Sequence, residues 1–278
     1  APQASPVCIC PSWRRRLVCV GETVYESPMC TVVILRRPDH DWPLIIGANR
    51  DEMRDRPAKP PARHWDDRDH VVAGMDELAG GTWLALNDDR LVAAVLNRYG
   101  SLGPDATKRS RGELPLEAVD HAEAKQAAKA LALLEPESYR TFNMVIADTL
   151  DAFWVRSDGK RVEALEIPQG LSMITANDLN DTEGSDRIGF HLDRFHRAPA
   201  PDPGLGDWDT WKALLASGDA APGAGPGGAM CVGTDTGFGT VSSSLIGLPS
   251  VNRTTLKPQW LYCDGPPDAA VFQSVDFA

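Results

Sequence analysis

The chain has 278 residues, 42% of them hydrophobic, and carries 28 Lys and Arg against 39 Asp and Glu, a formal charge of −11. That length holds one large domain or two small ones with a sizeable core. The acidic balance excludes a protein built to bind nucleic acid or anionic membranes through clustered Lys and Arg, which leaves a small-molecule substrate or a hydrophobic ligand as the expected partner. The longest apolar stretches, such as Leu91 to Leu96, fall far short of the roughly 20 residues that span a bilayer, so no stable membrane insertion is expected.

Residues 1–28 are Pro-rich, hold Arg14-Arg15-Arg16 and three of the six cysteines, and lack an apolar run long enough for a secretory signal. They read as an appendage, disordered or removed, ahead of one domain over 29–278, with Met29 a credible alternative start. Cys8, Cys10, Cys19, Cys30, Cys231 and Cys263 form neither a disulfide scaffold nor a paired zinc spacing. The chain is therefore expected in the reducing cytoplasm, without metal or organic cofactor.

The β-branched run Thr31 to Leu35 predicts a buried strand with Cys30 at its exposed end. A turn at Pro38 to Asp41 leads into a second strand over Pro43 to Ala48, which runs into Asn49-Arg50-Asp51-Glu52, and the two should form a hairpin. Residues 53–70 are charged and Pro-rich and read as an exposed loop. Its His64 to His70 stretch reads as solvated surface, since it lacks an i, i+4 histidine pair on a helix. Gly80 to Leu86 and Leu91 to Leu96, joined by Asn87-Asp88-Asp89-Arg90, predict a second hairpin ending on Asn97-Arg98-Tyr99.

Asp120 with Glu123 predicts a capping box for a helix whose Ala124, Ala127, Ala128, Leu131 and Leu134 share a face until Pro136 stops it. Strands follow over Phe142–Ala147, Ala152–Arg156, Val162–Ile167 and Leu171–Thr175, the last ending on Ala176-Asn177-Asp178. Two short helices come next, one carrying Ile188, His191, Leu192 and Phe195, the other opened by Asp207 and carrying Trp208, Trp211, Leu214 and Leu215. Closing strands are expected near Gly239–Ile246 and Trp260–Cys263. This order suits an α+β sandwich with layered sheets better than alternating βαβ units.

Four strand ends thus present polar groups: Cys30, Asn49-Arg50-Asp51, Asn97-Arg98-Tyr99 and Asn177-Asp178. Polar groups at the ends of apolar strands are candidates for a shared cleft. If Met29 is removed, Cys30 carries a free α-amine, which titrates close to neutral pH and can take the proton of its own thiol. The alternative for Cys30 is a small buried hydrophobe, and for Asn49, Asp51, Asn97 and Asn177 it is local turn capping.

Met29-Cys30-Thr31, Ala48 to Glu52, Ala73-Gly74, Ala79-Gly80-Gly81-Thr82-Trp83-Leu84 and Ser110-Arg111-Gly112 closely resemble the NRDE family of transport and Golgi organisation 2-like proteins. That family is similar in turn to the N-terminal-nucleophile hydrolases, with their four-layer αββα sandwich and processed cysteine. The resemblance implies Cys30 as nucleophile and base, Asp51 holding its amine, and Asn177 with the Asn97 segment forming the oxyanion hole. Arg50, Tyr99 and Arg187 are expected to contact substrate.

Departures accompany the resemblance. The arginine expected three residues before the aspartate is Ala48 here, and strand alternation sends Arg50 to the face opposite Asp51, where an acidic partner is expected. Arg187 offers a replacement cation or lies on a charged, exposed helix face. Many relatives have arginine where Val241 stands. The expected function is cleavage of a small-molecule amide or thioester by acyl transfer through Cys30. The alternative is a non-catalytic carrier of haem or an acyl lipid using the same cleft, with any protein partner unknown.

Overall fold

The computed structural model describes residues 30–101, 103 and 105–277, so the extension expected over 1–28 lies outside the described residues. In chain order the strands are β1 (Thr31–Arg36), β2 (Leu44–Met53), β3 (Ala58–Ala62), β4 (Val71–Asp76), β5 (Leu84–Asn87) and β6 (Val92–Asn97). Helices α1 (Leu114–Val119) and α2 (Ala124–Leu131) follow, then β7 (Phe142–Ala147), β8 (Ala152–Ser157), β9 (Val162–Glu166) and β10 (Gly170–Ile174). The chain continues through α3 (Asp186–Arg197) and α4 (Asp209–Leu215) to β11 (Phe238–Leu248), β12 (Gln259–Asp264) and β13 (Phe272–Ser274).

The strands form two sheets, one ordered β10-β1-β2-β11-β12-β13 and the other β3-β4-β5-β6-β7-β8-β9, with every paired neighbour antiparallel. Val32, Ile34, Ile46 and Ile246 of the first sheet meet Leu84, Val92, Leu96 and Val145 of the second between the layers. The outer face of the second sheet packs Ala85 and Ala93 under Leu114 and Ala118 of α1, and Met144, Ile146 and Val155 under Ala124, Ala127, Ala128 and Leu131 of α2. The outer face of the first packs Val33, Ile45 and Leu245 under Ile188 and Phe195 of α3 and Trp211 and Leu215 of α4. This is the expected α+β, four-layer αββα sandwich. Central strands covered on both faces read as continuous apolar runs rather than as alternation, as Val32-Val33-Ile34 does. Gly47 of β2 permits the close packing, since a Cβ there would stand 3.1 Å from the Trp211 ring.

Two local expectations are corrected. The 53–70 segment is not all loop: β3 runs through Pro60 and Pro61 as the edge of its sheet, where a strand can spare N–H donors, and its register shifts between Lys59 and Ala62. The helix expected from a capping box begins after Glu123 with no side-chain cap of its own; Asp148 Oδ2 accepts the Ala124 N–H at 2.8 Å instead. Asp120 accepts hydrogen bonds from Arg68 at 2.9 and 3.1 Å. Among the described residues no helix is long and apolar enough to cross a membrane.

His191 of α3 is wholly buried, its Nε2 3.1 Å from the Asp219 carbonyl and its Nδ1 3.5 Å from Arg194. Burial, then the Arg194 charge, pushes its pKa down to about 4. The unfolded chain therefore binds this proton at higher pH than the folded one. Its contribution to stability is full above about pH 6.5 and is lost as pH falls towards 4. Urea unfolding should show a loss on the order of 2 kcal/mol across that window, and His191→Gln should flatten it. An unchanged pH slope in the variant would refute the assignment.

Candidate active site

Cys30 sits half-buried at the entrance of β1, whose Thr31 pairs with Asn49 of β2 and so brings the thiol against Asp51. The Asp51 N–H donates to Sγ at 3.4 Å, and the thiol faces the Asp51 carbonyl at 3.6 Å. Burial, followed by the Asp51 carboxylate, pushes the Cys30 pKa up to about 11, against the pull of the Asp51 N–H and Arg50. At neutral pH the group is a thiol. A nucleophile in this state needs a base.

The Asp51 carboxylate points away from that thiol towards α3. It accepts Arg187 Nη1 at 3.0 Å and the Thr240 hydroxyl at 2.7 Å. The same Arg187 nitrogen donates to Thr31 Oγ1 at 2.6 Å, and Arg187 Nε reaches the Gly227 carbonyl at 3.0 Å. A register shift at Val241, between Thr240 and Ser242 of β11, accompanies the meeting of Thr240 with Asp51. Burial raises the Asp51 carboxyl above its ordinary value, and Arg187 and Thr240 oppose that rise. Arg187 is 3% exposed, lies outside the wall of the Cys30 cleft and holds Asp51, so it is not on an exposed helix face.

Arg50 follows the alternation of β2 to the opposite face, where its guanidinium lies 4.2 Å above the Trp83 ring and 3.8 Å from Asp76. Asp76 also accepts Arg56 Nε at 2.7 Å. Cys30, Arg50, Asp51, Glu52, Trp83 and Asn97 share one cleft of about 290 Å³ with a wall of residues 108–112. The Asn97 side-chain amide has no hydrogen-bond partner among the described residues and lines the same cleft as Cys30.

Two further predicted residues, Asn177 and Tyr99, are not among those lining this cleft. Asn177 donates its Nδ2 to the Gly184 carbonyl at 2.8 Å, and it shares a separate depression with Arg98, Asp178 and Tyr99, the last 51% exposed. Asn143 of β7 donates its Nδ2 to the Thr175 and Asn177 carbonyls at 2.8 and 2.7 Å and so holds the turn after β10. Arg98 joins the same turn through Asp178 at 2.7 Å. The partners Thr31 and Thr240 escape sequence reasoning, because a threonine in a strand signals only β propensity. Arg111 lies inside the Ser110-Arg111-Gly112 motif without any sign of what it faces.

A family model described as Transport and Golgi organisation 2 matches residues 29–191. The Transport and Golgi organization protein 2 homologs of Homo sapiens and Bos taurus are each 32% identical to this chain over 108 residues, 38% of this chain and 38% of theirs. The match thus spans well under half the length of those relatives. Among solved structures, an N-acylethanolamine-hydrolyzing acid amidase ortholog from Caenorhabditis elegans superposes with a TM-score of 0.52 at 13% identity, covering 78% of this chain and 92% of that one. Penicillin V acylase from Agrobacterium tumefaciens superposes with a TM-score of 0.51 at 12% identity, covering 84% and 82%. These likenesses establish the N-terminal-nucleophile hydrolase fold.

Proposed function

The chain belongs to the Transport and Golgi organisation 2 family, and from that premise and the cleft geometry we propose that it cleaves a small-molecule amide or thioester through Cys30. The observation that carries this reading is the thiol at the end of β1, half-buried in a polar cleft and held against the backbone of Asp51. Removal of the residues before Cys30 frees its α-amine, which accepts the Sγ proton. The sulfur attacks the acyl carbon, the C–N or C–S bond breaks, and the leaving amine or thiol takes that proton. Water then attacks the thioester, releasing the carboxylic acid and returning the proton to Sγ. Asn97 donates to the oxyanion, a contact whose removal typically costs about 10²–10³ in rate.

A carrier of haem or an acyl lipid needs an apolar cavity of several hundred Å³. The Cys30 cleft itself, at about 290 Å³, is lined by ten charged side chains, and the apolar crevice beside it, between Val32, Ala48, Trp83 and Leu96, offers about 20 Å³. Acyl transfer is therefore the reading the geometry supports best. The free thiols of Cys30, Cys231 and Cys263 suit a reducing cytoplasm. Intact mass after brief exposure to 4-nitrophenyl acetate tests the proposal. Protein beginning at Cys30 should gain one acetyl group there, lost again on standing, and Cys30→Ala should gain none at that site. Acetylation spread evenly over the thiols would refute the nucleophile.

A further inference from the structure

The chain carries a charge of −11, yet the Cys30 cleft is lined by the six cations Arg50, Arg56, Lys108, Arg109, Arg111 and Arg140 and by four carboxylates. Most of these charges are matched at close range. Arg50 and Arg56 converge on Asp76, Arg109 meets Glu113 and Glu117 at 2.6 and 3.0 Å, and Asp51 is taken by Arg187 from behind. Asp105 accepts the Thr107 hydroxyl at 2.6 Å.

Arg111 and Lys108 are held by neutral acceptors, while Asp105, its pKa lowered first by its bonds to Thr107, stands close enough to Lys108 and Arg140 for their charges to lower it further. Arg111 Nη1 donates to the Ser101 hydroxyl at 2.9 Å and the Thr141 carbonyl at 3.0 Å, and Lys108 Nζ donates to the Glu137 carbonyl at 2.6 Å. Neither pairs with a carboxylate among the described residues. Arg111 is half-buried, and burial together with the neighbouring Arg140 charge lowers its pKa to about 10. A partly desolvated cation beside a like charge costs free energy that an anion placed between them returns. The wall is also fixed before ligand arrives. Gly112 accepts the Thr82 N–H at 2.8 Å, one residue before Trp83, and a Cβ on Gly81 would stand 2.4 Å from the Gly112 backbone.

We propose that this wall is an anion subsite anchored by Arg111 with Lys108 at its rim, and that the substrate acylating Cys30 carries a carboxylate or phosphate on its leaving group. This rests on the Cys30 reading. Charge-assisted hydrogen bonds of this kind correspond to roughly ten- to a hundredfold in rate or affinity.

Purified protein beginning at Cys30 is treated with S-acetyl-3-mercaptopropionate or its neutral methyl ester, and acetylation of Cys30 is followed by mass. In either reaction the thiol proton passes to the departing mercaptan. The anionic reagent is expected to react at least about tenfold faster. Arg111→Gln should bring the ratio to about one and Arg111→Lys should keep part of it. Competition by millimolar inorganic phosphate or by propionate identifies which anion the wall prefers. Equal rates at a reactive Cys30 overturn the subsite and leave the nucleophile standing. If Cys30 reacts with neither reagent, the nucleophile fails, and calorimetry with unreactive 3-(methylthio)propionate decides the subsite. Binding that Arg111→Gln abolishes supports it, and no binding at millimolar concentration overturns it.

Discussion

Protein whose first residue is Cys30 is expected to acylate about 10²–10⁴ times faster at pH 7 than protein retaining Met29, the range a well-placed general base supplies. With a thiol pKa near 11, the thiolate fraction at pH 7 is on the order of 10⁻⁴. Retained Met29 leaves the Cys30 nitrogen as an amide with no basicity. The rate should then climb about tenfold per pH unit and keep climbing beyond pH 10, because only the thiolate reacts. A free α-amine changes the shape as well as the size of the rate. The profile should level off near pH 8, where an α-amine finishes losing its proton, although the thiol itself has not begun to titrate. A stopped-flow pH series on both forms measures this. Superimposable profiles would remove the amine from the mechanism, and a plateau near pH 8 in the Met29 form would assign the base to another group.

What the sequence made legible follows the layers of the sandwich. Strands covered on both faces announce themselves as apolar runs, and β7 was bounded as Phe142–Ala147 from residue pattern alone. Short or edge elements were not visible. The edge strand Ala58–Ala62 carries two prolines, Phe272–Ser274 has three residues, and α1 is too short for helical spacing to stand out; the interior strand Val71–Asp76 is hidden by its Gly74-Met75-Asp76 end. At the site, strand-end reasoning brought Cys30, Asp51 and Asn97 to one cleft and placed Arg50 on its own face with an acidic neighbour. Asn177 and Tyr99 line a separate depression, beside a turn that Asn143 holds from more than 30 residues away in sequence. Pairing across the fold, such as Arg187 with Asp51, leaves no local pattern at either residue.

That pair carries the second large expectation. Arg187→Met should cost about 3–5 kcal/mol in urea unfolding at pH 7, since it strands a buried carboxylate with only the Thr240 hydroxyl for a partner. Asp51→Asn should cost a similar amount by stranding the guanidinium. The two losses are one interaction counted from both ends, so the double variant should be markedly more stable than their sum predicts. Acid should distinguish the single variants. The lone Asp51 can escape its cost by binding a proton, so the Arg187→Met deficit should shrink as pH falls towards 5, whereas Arg187 deprived of the Asp51 charge has no such route and its deficit should persist. A loss below about 1 kcal/mol for Arg187→Met would mean that water reaches Asp51 freely. Because Arg187 Nη1 also holds Thr31, the residue after Cys30, the same variant should slow Cys30 acylation even where the protein remains folded. The ion pair then acts as a positioning device for the nucleophile, with Arg187 at its back and the thiol at its front.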